Sequence, residues 1–271
     1  MKPLILKILH SNFYFQLIAS FLFKYFYFLS NKNKINIKFI KNYWIHETFF
    51  GKYAYTHPVR RAEEVLTKEF AHFIKHYSIK KGDTVFDAGA GIGTEVIFFS
   101  KLVGNLGKVY ALEGNPDIYK LLLKTINLNN LKNVIPINLA VYKNSHQIIK
   151  FEADMNNWLS GKINQKHGNL SVKSITFDDL LKIINLSKIN FAKFNIEGAE
   201  KYLTTGKQKF IKACSNVCIS CHDFLENKDS HTFYKITNML IRNNFRIIKN
   251  KSKLKSLPID KKFFIYAKKN K

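Results

Sequence analysis

The 271-residue chain contains only three cysteines and four arginines. The first shortage bears on disulfide bonds, and the second bears on nucleic-acid binding. Three cysteines cannot build a disulfide framework in a chain of this length, and the count suits a reducing compartment. The other 40 of the 44 basic residues are lysines, whereas arginine is the side chain that binds phosphates and guanine edges through paired hydrogen bonds. The formal net charge of +25 therefore favours a nucleic-acid partner less than its size suggests.

The composition has a second explanation that needs no acidic partner. The chain carries 27 asparagines and 24 phenylalanines beside its lysines. The codons of Lys, Asn, Ile, Phe and Tyr are all AT-rich, so a codon bias of the whole genome would produce this composition. The hydrophobic fraction of 46% is that of an ordinary globular protein, so the chain is not disordered as a whole.

The chain also lacks an uninterrupted apolar segment long enough to cross a membrane. Residues 3–29 are strongly apolar, but the uncharged window between Lys7 and Lys24 has 16 residues, and a transmembrane helix needs ~20. No small-residue cleavage site follows, which disfavours a signal peptide. Polar side chains recur every four residues on one face of the predicted helix: Asn12, Gln16, Ser20 and Lys24. We expect this helix to lie at a membrane surface or to pack against the main domain or another subunit.

From residue 81 onward, short apolar segments alternate with helical ones, which predicts βαβ units and a mostly parallel sheet. A closing pair of strands near the C-terminus would complete a seven-stranded sheet with helices on both faces and one antiparallel strand. The fold expected is therefore α/β and Rossmann-like. The predicted strands are 84–89, 108–114, 133–141, 189–198, 216–224, 244–250 and 262–269.

The predicted domain boundary lies between residues 49 and 50. Residues 1–49 are interpreted as the apolar helical extension followed by a lysine-rich segment, 31–42, that forms a linker or a short edge strand. Residues 50–271 form the α/β domain. A helix is predicted over 58–77, because Pro58 suits a first helical position.

A glycine-rich turn between Val85 and Glu95 connects the first central strand to a helix. Its spacing is Gly-x-Gly-x-Gly, whereas dinucleotide sites usually have Gly-x-Gly-x-x-Gly. Asp87 precedes the first glycine, and a carboxylate there repels a pyrophosphate but attracts an ammonium group. Glu113 ends the next strand, where a carboxylate can accept both hydroxyls of a ribose. A ligand with a ribose, no phosphate and an amino-acid tail is S-adenosylmethionine.

With these residues in place, the chain resembles the FkbM-type S-adenosylmethionine-dependent methyltransferases over roughly residues 57–250. The most specific block runs from Lys193 to Glu200, where the family usually shows K-x-D-x-E-G-A-E. The other matching stretches are VFDAGAGIGTE (85–95), YALEGNP (110–116), INLAVYKN (137–144) and SITFDDLL (174–181). The resemblance implies a Rossmann-like class I methyltransferase fold and methyl transfer to a hydroxyl oxygen.

The resemblance also implies a cofactor site, residue by residue. Asn195 stands where the family usually has Asp, so it cannot act as a base, and we expect it to orient the substrate by hydrogen bonding. No metal ligands are predicted. The implied cofactor-binding residues are Asp87, Gly89, Ala90, Gly91, Gly93, Glu95, Glu113 and Asn115, with Asn138 and Ala140 near the adenine.

Two titratable residues, Glu197 and His222, are predicted at the carboxyl ends of neighbouring strands, where open α/β sheets bind ligands. We expect them to flank the acceptor hydroxyl and at least one of them to assist its deprotonation. His222 has an equally weighted alternative role, which is to anchor a loop through backbone hydrogen bonds. Glu200 is assigned only to the start of the next helix, where acidic residues suit the helix dipole.

Cys214, Cys218 and Cys221 have the C-x3-C-x2-C spacing of the iron–sulfur site in radical S-adenosylmethionine enzymes. Three thiolates on an open loop could hold such a cluster. Here the last two lie in an apparent buried strand, whose alternation points them to opposite faces. The prediction is therefore three buried core cysteines.

Three functions remain open on this reasoning. The first is O-methylation of a hydroxyl on a small molecule, sugar or glycan by a cytoplasmic enzyme, with membrane-surface association through residues 3–29 as an option. The second is an RNA-directed methyltransferase. The strand end at Asn195–Gly198 reads NIEG, however, and enzymes that methylate exocyclic amines usually carry [N/D]-P-P-[Y/F/W] there. The third is a module that binds the cofactor without catalysis, which the change at Asn195 favours.

Overall fold

A computed structural model describes the α/β domain and part of the segment before it. The described residues are 18, 36–40, 43–56, 62–154, 157–224, 231–248 and 262–270. Apart from Ile18, the predicted apolar helix over 3–29 lies outside these ranges, and so does Pro58. Within them, no helix has the length and hydropathy that a membrane span requires.

The strands and helices of the described ranges follow in chain order. The strands are β1 (Asn36–Ile40), β2 (Tyr43–Glu47), β3 (Lys52–Tyr55), β4 (Thr84–Ala88), β5 (Lys108–Leu112), β6 (Val134–Ile137), β7 (Ala140–Val141), β8 (Ile148–Asp154), β9 (Asn157–Ile163), β10 (Leu170–Ile175), β11 (Ile189–Phe194), β12 (Cys214–Ser220), β13 (Phe245–Ile247) and β14 (Phe264–Lys269). The helices are α1 (Ala62–Phe73), α2 (Thr94–Val103), α3 (Pro116–Leu128), α4 (Phe177–Ile184), the 3₁₀ helix η1 (Ala199–Thr204), α5 (Lys209–Ala213) and α6 (Phe233–Arg242).

Seven strands form the central sheet in the order β13-β14-β12-β11-β4-β5-β6. β14 pairs antiparallel with β12 and β13, and the other pairs are parallel. This confirms the predicted sheet, including its single reversed strand near the C-terminus. The carboxyl ends of β4, β5, β11 and β12 consequently meet at one edge of the sheet, which is where such folds bind ligands.

The central sheet separates two apolar cores, because successive side chains of a strand point to opposite faces. In β11, Phe191 belongs to the core that includes residues of α2 and α3. The next residue, Ala192, belongs to the core that includes residues of α4 and α6. Burial on both faces explains why the central strands are almost continuously apolar.

The three cysteines are free and buried, as predicted. Cys218 lies in one core, and Cys214 and Cys221 lie in the other. Burial raises the pKa of the Cys214 and Cys221 thiols, so the thiolate form that a metal cluster needs is disfavoured. The cysteines therefore pack as small apolar side chains.

An antiparallel sheet of β1, β2 and β3 precedes α1 and packs on α3. The side chain of Asn129 accepts a hydrogen bond from Lys52 N at 2.8 Å and donates one to Lys52 O at 2.6 Å. β2 and β3 pair as a hairpin across the predicted boundary at 49/50. Within the described ranges the domain therefore begins at β1, and β1 is an edge strand as the pattern of residues 31–42 allowed.

A second small sheet, in the order β7-β10-β8-β9, was not predicted. The segment 133–141 was interpreted as one strand, but β6 ends at Ile137 and β7 joins the small sheet instead. The small sheet has an apolar cluster that contains Phe151 of β8, and Ile163 of β9 packs against this cluster. This sheet lies beside the ligand-binding edge of the central sheet, because Phe151 and Ile163 line the cavity described below.

Replacing Trp44 by Ala tests whether β1–β3 belong to the same folding unit as the central sheet. Trp44 is fully buried in the core shared with α3, so Trp44→Ala should lower the free energy of unfolding by about 3–5 kcal/mol. Chemical denaturation followed by circular dichroism measures this change. Phe49, in the turn of the same hairpin, is 89% exposed, and Phe49→Ala should change stability by only about 0.5 kcal/mol or less. Equal stability of the two variants would contradict the packing described here.

Candidate functional site

The glycine-rich turn after β4 is built by close packing at two of its three glycines. Gly89 has a φ of +78°, and a Cβ there would lie 1.9 Å from the carbonyl oxygen of Asn195. Gly93, at the N-terminus of α2, has a φ of +93°, and a Cβ would lie 2.9 Å from Leu122 Cδ1. The middle residue, Gly91, has a φ of +55° and lines the cavity. The turn therefore presents bare backbone to a ligand.

Glu113 follows β5, and its side chain is hydrogen-bonded to the backbone of this turn. Its carboxylate accepts hydrogen bonds from Gly91 N at 2.9 Å and from Asn115 N at 2.8 Å. Burial raises the pKa of Glu113, and the two backbone hydrogen bonds oppose that rise. The predicted position at the strand end is thus occupied by a partly buried hydrogen-bond acceptor that lines the cavity.

Lys193, the next-to-last residue of β11, interacts with the carboxylates beneath the turn. Its Nζ lies 2.9 Å from Asp87 Oδ1 and donates a hydrogen bond to Gly89 O at 2.8 Å. Burial alone would lower the pKa of Lys193, but the charges of Asp87, Glu95 and Glu113 raise it. Three carboxylates thus act on one buried ammonium; those of Asp87 and Glu95 are buried, and that of Glu113 is partly buried. Carboxylates outnumber the cation here, which favours a cationic ligand.

Sequence reasoning assigned no role to Lys193. A signal was available, because a lysine that interrupts an apolar central strand is almost never fully buried without a partner. The partner is Asp87, which is completely buried and does not line the cavity. The sequence placed Asp87 in direct contact with the cofactor, whereas in the structure its carboxylate contacts Lys193 beneath the turn.

Two asparagines assigned to the cofactor site have structural roles. Asn115 caps α3, with its Oδ1 accepting hydrogen bonds from Asp117 N at 2.9 Å and Ile118 N at 3.4 Å. Asn138 donates a hydrogen bond from Nδ2 to Glu113 O at 2.8 Å. Asn115 still lies in the cavity wall, whereas Asn138 does not. The Asn138 side chain thus fixes the backbone of Glu113, and the Asn115 side chain fixes the start of α3.

On the other side of the site, His222 lies between two carboxylates. Its Nε2 is 3.2 Å from Glu197 Oε1, and its Nδ1 is 3.1 Å from Glu200 Oε1. Only a protonated imidazole carries a proton on both nitrogens. Burial alone would lower the pKa of His222, but the charges of Glu200 and Glu197 and its contacts with them raise it to about 10. The two carboxylates thus favour the protonated ring.

One cavity of about 460 Å³ joins the two halves of the site. It extends from the glycine turn to the His222–Glu197 pair, and β8 and β9 cover one wall with Phe151 and Ile163. Asp87, Gly93 and Asn138 lie outside the wall. The predicted site residues within it are Gly89, Ala90, Gly91, Glu95, Glu113, Asn115, Ala140, Asn195, Glu197 and His222.

Comparisons with known proteins found a family and two relatives. A family model described as "Methyltransferase FkbM domain" matches residues 87–247, more than half of the chain. The hexuronic acid methyltransferase AglP of Haloferax volcanii is 25% identical over 151 residues, which are 55% of this chain and 60% of that protein. The tRNA (adenine(58)-N(1))-methyltransferase catalytic subunit TRM61 of Yarrowia lipolytica is 30% identical over 88 residues, 32% of this chain and 23% of that protein. The chain thus matches less than two thirds of the length of either relative.

Solved structures with a similar arrangement were also found at low identity. The TYW2 protein of M. jannaschii, in complex with AdoMet, has a TM-score of 0.44 and 17% identity, covering 84% of each chain. Fibrillarin of Aeropyrum pernix, with natively bound S-adenosyl-L-methionine, has a TM-score of 0.45 and 12% identity, covering 85% of this chain and 97% of that one.

The residues present fit the cofactor of the matched family. The glycine turn offers open backbone, Glu113 is a carboxylate at the end of β5, and the acid excess around Lys193 suits a cationic group. The chain belongs to the FkbM methyltransferase family, whose methyl donor is S-adenosylmethionine.

Proposed function

We propose that the chain methylates a hydroxyl oxygen on a sugar, glycan or other small molecule. The observation that carries this proposal is the single cavity that connects the glycine turn and Glu113 with the His222–Glu197 pair. A methyl donor and an acceptor can therefore be held side by side, and proximity supplies much of the rate of such a transfer.

When bound, S-adenosylmethionine supplies an electrophilic methyl group on a sulfonium ion. The chain's own residues would hold it at the turn, with Glu113 accepting hydrogen bonds from the ribose hydroxyls. Asp87, Glu95 and Glu113 exceed the charge of Lys193, which favours the cationic donor over its neutral product.

Glu197 is the residue that we assign as proton acceptor. Its side chain is 28% exposed and lies in the cavity wall, so an acceptor hydroxyl can reach it. His222 is already protonated between Glu197 and Glu200, so it orients the Glu197 carboxylate and does not itself take the proton. Asn195, also in the wall, would orient the acceptor through its amide.

A sugar acceptor is supported by the relative that acts on hexuronic acid. An RNA acceptor is the second candidate, because another relative is a tRNA methyltransferase, although the match spans only 23% of it. The lysine-dominated surface favours RNA only weakly. A cytoplasmic location and membrane-surface association of residues 3–29 stay predictions from the sequence.

Glu113→Ala should weaken the binding of S-adenosylmethionine about ten- to a hundredfold. A hydrogen bond to a charged group is worth ~1.5–3 kcal/mol, and the substitution also frees the amides of Gly91 and Asn115. Isothermal titration calorimetry measures the affinity. Asp117→Asn is the matched control, since Asp117 lies in the first turn of α3 and outside the cavity wall. Equal affinity of the Glu113→Ala and parent proteins would refute this assignment.

Glu197→Gln should reduce methyl transfer by roughly 10²–10⁴-fold while the affinity for S-adenosylmethionine stays unchanged, because general-base assistance is worth about that much. Turnover is measured with radiolabelled donor once an acceptor is in hand. Glu69→Gln is the control, since Glu69 is a carboxylate in the same wall but on α1. Near-parent turnover of Glu197→Gln, or a larger loss for Glu69→Gln, would remove Glu197 from the proposed role.

Methyl-labelled S-adenosylmethionine and fractionated cell extracts test the acceptor class directly. The expected result is label in glycan or low-mass fractions that survives ribonuclease and is retained as a methylated sugar after acid hydrolysis. Label that ribonuclease releases would favour the RNA candidate instead. Cofactor binding without label in any fraction would favour a non-catalytic module.

A further inference from the structure

Glu200 is buried just behind the proposed acceptor site, and the proposed chemistry gives it no role. Its side chain is fully buried and is not part of the cavity wall. Oε1 accepts a hydrogen bond from Ile196 N and Oε2 accepts one from Gly198 N, both at 2.8 Å. Oε1 also lies 3.1 Å from His222 Nδ1. One carboxylate therefore contacts both the loop after β11 and His222, the second residue after β12.

The loop that Glu200 holds has an unusual backbone. Glu197 has a φ of +51°, in the left-handed region that side chains other than glycine and asparagine rarely adopt. Its two neighbours are the residues whose amides Glu200 binds. Strained backbone of this kind persists only where the surroundings fix it, and it is concentrated at functional sites.

We propose that Glu200 is a positioning residue, which holds Glu197 in its left-handed conformation and aligns His222 so that the Glu197 carboxylate faces the cavity. The order of contacts is Glu200 to His222 Nδ1 and His222 Nε2 to Glu197. This inference rests on the proposed role of Glu197 as proton acceptor. Glu200 itself touches neither the cavity nor the reacting atoms.

If Glu200 and Glu197 both contact His222, the ring should stay protonated, and its pKa can be measured. Among the residues that the structure describes, the titratable side chains that act on His222 are Glu197 and Glu200, and Cys221 and Asp223 are its neighbours in the chain. Asp223 is engaged elsewhere, since it accepts hydrogen bonds from Thr232 N and Phe233 N. The buried Cys221 thiol stays neutral because burial raises its pKa. The two glutamates therefore determine the state of the ring.

Nuclear magnetic resonance of histidine-labelled protein tests the proposal without an acceptor. In the full-length parent protein, His222 should remain protonated through pH 8. In Glu200→Gln the pKa of His222 should fall by roughly 1–3 pH units, because a charged partner within hydrogen-bonding distance is lost. Glu200→Asp keeps the charge, so it should leave His222 closer to the parent value. A neutral His222 in the parent at pH 7, or an unchanged titration in Glu200→Gln, would overturn the proposal.

The matched control is Asp83→Asn, at the opposite end of β4. Asp83 is also a buried carboxylate, and it accepts hydrogen bonds from Tyr77 Oη and Lys80 N at 2.8 Å each. Its replacement should lower stability but leave the titration of His222 unchanged. A shift of His222 in Asp83→Asn as large as in Glu200→Gln would show a general loosening of the fold and overturn the positioning role.

Turnover separates this inference from the proposed function. With an acceptor in hand, Glu200→Gln should lower kcat by roughly 10²-fold, as expected for a misplaced group. Its KM for the acceptor and its affinity for S-adenosylmethionine should stay near the parent values. A parent-like kcat in Glu200→Gln would overturn the positioning role. If the His222 pKa falls as expected but no hydroxyl compound accepts a methyl group, the proposed function fails while the link between Glu200 and His222 holds.

Discussion

The buried ion pair between Lys193 and Asp87 is the interaction on which the site depends. The two residues are partners in the register of β11 and β4, so the pair crosses the two central strands close to the ends that carry the site. Lys193 also donates to Gly89 O, which ties the beginning of the glycine turn to the neighbouring strand. Breaking a buried pair of this kind by removing one partner typically costs about 3–5 kcal/mol. The turn is therefore fixed before any ligand binds.

Lys193 also favours the charged form of the carboxylates around it. Asp87, Glu95 and Glu113 all act on Lys193, and burial raises the pKa of Glu95 and Glu113. Neighbouring carboxylates disfavour one another's charged form, and the ammonium of Lys193 opposes that effect. Three carboxylates act on this one ammonium, so a cationic ligand would add a second favourable charge. Lys193 thus offsets the repulsion among these carboxylates, which allows the site to keep more carboxylates than cations for binding.

The central sheet could be predicted because its strands are buried on both faces and appear as short apolar segments. The glycine turn, Glu113, Glu197 and His222 could be located because each follows such a segment. The β7–β10 sheet was missed, since Lys150, Lys173 and Gly161 interrupt its strands and leave no clear apolar period. Asn115 and Asn138 were assigned to ligand binding by resemblance, and the choice between a ligand and a backbone partner depends on geometry that a single sequence does not contain.

The two halves of the site share one arrangement of charged residues. Each has a buried cation held by carboxylates: Lys193 with Asp87 on the cofactor side, and His222 between Glu197 and Glu200 on the acceptor side. Lysine stays charged over the whole physiological range, which suits a permanent scaffold for the turn. Histidine owes its charge to the two glutamates, because its ordinary pKa lies near 6.5 and burial would lower it. In the proposed mechanism, proton transfer to Glu197 would remove one of those two charges, so deprotonation of the acceptor would be coupled to the contact between Glu197 and His222. Glu200 lies outside the cavity wall and is the second carboxylate in contact with the ring, so that contact does not depend on the acceptor.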